Sequence, residues 1–161
     1  MLKWLTAKFG KARLMRWVMT FYPPYLGAGV RVRHISDDFR DVQVSMGLGW
    51  YNRNYVGTQF GGSLYSMVDP FFMLMLMENL GSKYIVWDKA ADIDFIAPGK
   101  GPVFARFNID ETLLDEVPRR AARGEKSLPQ LQVDIHDGAG NLGARVGKPL
   151  YVRLKPQARQ A

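Results

Sequence analysis

The sequence predicts an α+β domain in which one long apolar helix lies against an antiparallel sheet, and three observations carry that expectation. Over residues 61–80, Leu64, Met67, Val68, Phe71, Phe72, Met75, Leu76 and Leu80 recur at helical spacing. After that segment, strand patterns dominate to the end of the chain, as in residues 103–113, where Val103, Ala105, Phe107 and Ile109 alternate with Phe104, Arg106, Asn108 and Asp110. Glycine- and asparagine-rich turn signals at residues 98–101 and 137–141 then link neighbouring strands into antiparallel pairs.

The elements follow in order. Residues 1–24 form an N-terminal amphipathic helical segment, and residues 25–161 form the domain proper. In the first part Leu2, Leu5 and Phe9 share one helical face, Leu14, Trp17, Val18 and Phe21 share another, and Gly10 separates the sets. Pro23 and Pro24 end the pattern. Two readings stand for this segment: a basic amphipathic anchor in contact with a membrane surface, and an ordinary helix packed on the domain or on a partner subunit.

Residues 30–35 and 39–46 read as a hairpin turning at Ser36-Asp37-Asp38, with Val42, Val44 and Met46 on one face. Residues 47–60 lack a sustained period and read as a loop. The helix is expected to begin near Gly61 and to kink at Pro70, because proline removes a backbone donor and crowds the preceding turn. An alternative makes Asp69 and Pro70 the N-cap and first residue of a helix starting there. Strands are expected over 84–97, 103–113, 130–137 and 142–154, with Gly147 and Pro149 bulging or breaking the last. Residues 118–129 read as a polar basic loop.

Bulk composition narrows the function. A chain of 161 residues suits one domain with its own core. Cysteine is absent, which excludes disulfides and thiolate chemistry and makes the cytoplasm the simplest compartment. Only two histidines occur, His34 and His136, so no metal cluster is expected. The formal charge of +7 suits an anionic partner, but the basic residues are dispersed and no nucleic-acid motif is present.

The chemistry-bearing stretch is 54–69. If Gly61 and Gly62 open a helix, their N–H groups have no intrahelical acceptor and point out at its positive end, where developing negative charge is favoured. Asp69 follows Gly62 by seven residues, close to two helical turns, which places both on one face of a continuous helix. The Met, Phe and Leu residues around Asp69 would desolvate it and push its basicity toward neutrality, as a general base requires. The same residues have structural alternatives: a tight turn for the glycines and a cap for the aspartate. Ser63 and Ser66 have no positioned histidine beside them, so Ser66 reads as a polar contact near Asp69.

The motif Asn54-x-x-Gly57-Thr58-x-Phe60-Gly61-Gly62, then Asp69, then Asp92-Ile-Asp-Phe-Ile-Ala-Pro98-Gly-Lys-Gly101, resembles the hotdog-fold superfamily and its phenylacetic-acid-pathway acyl-CoA thioesterase branch. It looks closest to an uncharacterised domain family of that superfamily. The resemblance spans residues 30–154 and implies a hotdog fold: a curved antiparallel sheet wrapped around a long central helix, paired into homodimers or homotetramers. It implies an acyl-CoA thioesterase with the backbone N–H of Gly62 polarising the thioester carbonyl and Asp69 acting as base or nucleophile, Gly61 and Asn54 supporting the loop. Acyl-CoA enters as substrate, with no cofactor. Seven helical residues span about 10 Å, so one subunit's glycines would have to work with the other's aspartate.

Related thioesterases often carry His where this chain has Phe60, and Pro70 after the aspartate is also unlike most of them. Asn54, Thr58, Phe60 and Ser66 are expected to bind the substrate, and Arg119, Arg120 and Arg123 could hold the phosphates of coenzyme A, the alternative being a solvated basic surface. A non-catalytic acyl-binding or structural module is the competing function; a dehydratase would need a histidine paired with the helix carboxylate, and neither His34 nor His136 precedes the helix.

Overall fold

A computed structural model describes residues 10–156. In chain order the elements are α1 (Lys11–Thr20), α2 (Pro23–Ala28), β1 (Val30–Ile35), β2 (Asp41–Met46), α3 (Gly61–Ser66), α4 (Phe71–Leu80), β3 (Tyr84–Asp88), β4 (Asp92–Phe95), β5 (Val103–Asn108), α5 (Glu111–Ala122), β6 (Gln130–Asp137) and β7 (Leu142–Leu154). The seven strands make one antiparallel sheet in the order β1-β2-β5-β6-β7-β3, with β4 also pairing to β7.

Alternation gives the sheet a dry face. Val42, Val44 and Met46 of β2, Val103, Ala105 and Phe107 of β5, Val133 and Ile135 of β6, and Ala144, Val146, Leu150 and Val152 of β7 are all buried. The sheet curves around α4. Phe71 and Phe72 from the first turn of that helix lie 5.0 and 5.1 Å, ring centre to ring centre, from Phe107 at the middle of the sheet, an offset or edge-on geometry favoured by the ring quadrupoles. The hairpin of β1 and β2 and the helix start at Gly61 stand as expected.

Several expectations change. The helix over 61–80 is broken rather than kinked: after Met67, which still donates to the Ser63 carbonyl, the chain leaves the helical ladder over 68–70, and Pro70 has no N–H to donate back along it. The ladder resumes at Leu74, which donates to the Pro70 carbonyl. Met67 and Val68 are wholly buried, so the break is seated in the core. The first helical pattern ends before Pro23 and Pro24, as expected, and the two prolines also open α2, since proline suits the first turn of a helix.

Residues 84–97 form two strands, not one. Both β3 and β4 pair with β7, and the switch between them falls opposite Pro149, whose carbonyl receives the N–H groups of Lys89 and Ala90. Pro149's missing donor faces that gap, so β7 runs unbroken through Gly147 and Pro149. The turn at 98–101 therefore joins strands that do not pair with each other, whereas the turn at 137–141 does link the antiparallel pair β6 and β7.

Residues 111–122 are helical, which shortens the strand expected over 103–113 and removes half of the basic loop expected over 118–129. Asp110 caps this helix by accepting from the N–H of Leu113 at 2.8 Å. Leu113, Leu114, Val117 and Ala121 supply its apolar face. In α1 the face that packs inward carries Ala12, Met15 and Met19, while Trp17, Val18 and Phe21 stay exposed. The small Ala12 permits close approach to the sheet, and Lys11 ties α1 to α4 by an ion pair with Glu78. Leu2, Leu5 and Phe9 lie outside the described residues. Among the described residues no helix is long and apolar enough to cross a membrane.

Candidate active site

The loop before α3 is held by amide side chains. Asn52, almost fully buried, donates to the carbonyls of Ala28 (3.0 Å) and Gly47 (2.7 Å) and accepts from the N–H of Gly49 (2.7 Å). Asn54 donates to Thr58 Oγ1 (2.8 Å) and the Gln59 carbonyl (3.3 Å) and accepts from the N–H groups of Val56 and Thr58. Every polar atom of Asn54 is thus spent on the loop's own shape. Gly57 sits in the left-handed region at φ 85°, which closes the turn at little cost to glycine.

At the start of α3, Ser63 and Leu64 both donate to the Phe60 carbonyl, and neither Gly61 nor Gly62 donates to a described acceptor. These are the orphan donors of a helix start. Each glycine is also a contact point for an aromatic ring: a Cβ on Gly61 would stand 2.8 Å from the Phe95 ring, and one on Gly62 would stand 2.4 Å from the Phe60 ring. Phe60, half-exposed, therefore occupies the space beside Gly62. A cavity of about 410 Å³ opens here, lined by Asn54, Thr58, Gln59, Gly61, Leu64 and Phe95 among others. Gln59 is buried; its Nε2 donates to the Gly101 carbonyl, and its Oε1 has no partner among the described residues.

Asp69 lies in the break between α3 and α4, so it does not share one continuous helix with Gly62 as the spacing predicts. It is also less buried than its apolar sequence neighbours imply, with a side chain 48% exposed. Its contacts are polar: Oδ1 accepts from the Tyr65 hydroxyl at 2.8 Å and from Lys148 Nζ at 3.1 Å. It caps no helix, since α4 has no side-chain cap. Lys148 comes from β7 and is fully buried; it also pairs with Asp88 Oδ2 of β3 at 3.0 Å and lies 3.3 Å from the Tyr65 hydroxyl.

The electrostatics follow from that burial. Desolvation works to lower the Lys148 ammonium, but its bonds to Asp88 and Tyr65 and the charges of both carboxylates outweigh it and hold it above the ordinary lysine value. Burial raises Asp88, with Lys148 opposing and the charge of Asp69 adding. Tyr65 is raised by burial and by its bond to Asp69, with Lys148 opposing. Tyr25 of α2, buried with no partner for its hydroxyl among the described residues, is pushed far up by burial and then by the charge of Asp69.

The remaining sequence candidates fall elsewhere. Ser66 Oγ bonds back to the Gly62 carbonyl at 2.8 Å and makes no bond to Asp69. Arg119, Arg120 and Arg123 belong to α5 and its C-terminal cap, and none lines the cavity at the glycines. Arg119 donates to the Asp115 carbonyl, and Arg120 pairs with Glu116 and Glu125. Lys148, Asp88 and Asn52 were not singled out from the sequence. Lys148 had a signal there: in the β7 alternation Ala144, Val146, Lys148, Leu150, Val152, a lysine stands in the inward series.

Comparison with known proteins agrees with this architecture. Residues 10–152 match the model of a family described as a domain of unknown function, DUF4442. No curated protein matches in sequence. Among solved structures, a Pseudomonas aeruginosa protein described as of unknown function and a "probable thioesterase" superposes with a TM-score of 0.77 at 18% identity, covering 88% of this chain and 95% of that one. A Chlorobaculum tepidum protein of unknown function gives 0.69 at 18% identity, with 88% and 93% covered. A Haemophilus influenzae thioesterase gives 0.63 at 13% identity, with 87% and 88% covered. At these identities the likeness is one of fold, the hotdog fold. Since the family model spans the whole sheet up to Val152 together with both halves of the broken central helix, the chain belongs to the DUF4442 family.

Proposed function

We propose that the protein hydrolyses acyl thioesters of coenzyme A in a site shared by two copies of the chain. The observation that carries this reading is the pair of unpartnered N–H groups at Gly61 and Gly62, of which Gly61 lines a cavity of about 410 Å³. Such donors suit the oxygen of a thioester carbonyl as it takes on charge. Gly62 opens α3 and Asp69 lies beyond its end, in the break, so the carboxylate that would reach the same carbonyl is Asp69 of a second copy. The half-exposed position of Asp69 in the single chain leaves it open to such a partner.

In this reading the thioester oxygen lies against the N–H of Gly62. Asp69 takes a proton from water as the water oxygen bonds to the carbonyl carbon. The tetrahedral oxyanion then collapses, the carbon–sulfur bond breaks, and the thiolate leaves and is protonated by Asp69. Direct attack by the carboxylate, through an anhydride that water opens, gives the same products. Thr58, Phe60 and the apolar lining would face the acyl group.

A second reading is a non-catalytic acyl-CoA binder. It is favoured by the ring of Phe60 beside Gly62 and by the two donors already engaging Asp69. Free-thiol release from a panel of acyl-CoAs, with sedimentation to read the oligomeric state, separates the two. Hydrolysis by a dimer that Asp69→Asn abolishes supports the enzyme; thermal stabilisation by an acyl-CoA with no thiol released supports the binder.

A further inference from the structure

Lys148 takes no part in the chemistry above, yet its burial is complete. An ammonium loses several kcal/mol of hydration on burial and persists only where its donors are matched. Here they are matched one for one: three N–H donors meet Asp69 Oδ1, Asp88 Oδ2 and the Tyr65 hydroxyl. Tyr65 in turn donates to the same Oδ1 of Asp69. Both donors therefore fall on one carboxylate oxygen, and Oδ2 has no hydrogen bond among the described residues. Tyr65 extends from α3, ahead of the break that carries Asp69, while Lys148 rises from the sheet beneath.

We propose that Lys148 and Tyr65 are positioning residues that clamp Oδ1 of Asp69 and present Oδ2 as the single reactive oxygen. This rests on the reading of Asp69 as base or nucleophile. Lys148 itself cannot meet substrate, because no part of it reaches the surface. The clamp limits the carboxylate to one orientation, and positional errors of about 1 Å at a reacting group cost up to about a hundredfold in rate. The ammonium also supplies the counter-charge. The titratable groups facing Asp69 are Tyr65 from α3, Tyr25 from α2, Asp88 from β3 and Lys148 from β7. Lys148 bridges Asp69 and Asp88, so without it the two carboxylates would be left with no cation between them.

The test compares the full-length protein with Lys148→Met, Lys148→Met/Asp88→Asn and Tyr65→Phe, using thiol release from acyl-CoA. Lys148→Met is expected to lower kcat about 10- to 100-fold with little change in KM. Tyr65→Phe, which keeps the ammonium, should lose less than about tenfold. If Lys148→Met alone does not fold, the double variant, which removes the stranded carboxylate, carries the same comparison. The carbon-13 resonance of the Asp69 carboxyl at neutral pH, assigned by its loss in Asp69→Asn, reads the clamp without turnover and should shift in Lys148→Met or the double variant. A folded variant with wild-type kcat, or with an unmoved Asp69 resonance, overturns the inference. If the wild type releases thiol from no acyl-CoA, the hydrolase reading fails and the resonance alone decides the clamp.

Discussion

The two ends of the broken helix are built on opposite terms. At the glycine end, charged side chains are absent from the cavity lining, the polar groups are backbone N–H and amide, and space is left open beside Gly61. At the aspartate end there is a dense cluster of Asp69, Lys148, Asp88 and Tyr65, with bonds of 2.8 to 3.3 Å. The orphan donors lie at the edge of this loop, and no hydrogen bond among the described residues depends on them. A buried charge cannot be left in that way, so its partners must be recruited from other elements. The first end is cheap to alter structurally and the second is not.

That contrast can be broken most directly at Lys148. Lys148→Met strands Asp88 and is expected to cost about 3 to 5 kcal/mol of stability in urea unfolding; a loss below about 1 kcal/mol would place the cluster with ordinary surface pairs. Asp69→Asn leaves Lys148 its bond to Asp88, so folding should change by about 1 kcal/mol or less. Its effect should appear instead in thiol release, as a fall of about 10²- to 10³-fold in kcat/KM. Gly62→Ala sharpens the other side. The new Cβ meets the half-exposed Phe60 ring, which can swing away, so stability should shift by less than about 1 kcal/mol in a thermal melt. Crowding beside the N–H of Gly62 should lower kcat/KM about tenfold.

The smallest effect is expected on the outer face of the same strand that carries Lys148. Arg145 binds Asp134 through two bonds of 2.8 Å and holds that carboxyl below its usual range, with burial opposing. Because the folded value lies below the unfolded one, the pair's contribution is full above the usual carboxylate range and is lost as pH falls through the lowered value. Asp134→Asn should therefore cost less than about 1 kcal/mol near neutrality, with the difference from wild type shrinking as melts are run below about pH 4. A pH-independent difference would show that the pair acts by packing rather than by charge.

Local pattern made much of this legible. The alternation at Val42, Val44 and Met46 and at Val103, Ala105 and Phe107 matches the buried face of the sheet, and Gly61 opens a helix where the chain's spacing puts it. The helix over 111–122 was hidden by the strand pattern leading into it and by Pro118, although Asp110 stands in cap position before Leu113 and Leu114. The glycine end was readable because its residues are consecutive. The aspartate end was not: Tyr65 is four residues from Asp69, but Lys148 and Asp88 reach it only after β7 and β3 are paired.

The amino-acid sequence by itself determined the sheet's two faces, the helix start at Gly61 and the position of a carboxylate next to a proline, because periodicity and backbone chemistry act within a few residues. Only the tertiary structure decided that Pro70 breaks the helix outright, that Phe60 fills the space beside Gly62, and that the inward lysine of β7 meets Asp69. Those outcomes depend on which distant groups share a small volume. Burial makes an unpaired charge costly, so the partner that satisfies it is chosen by the fold rather than by its place in the chain.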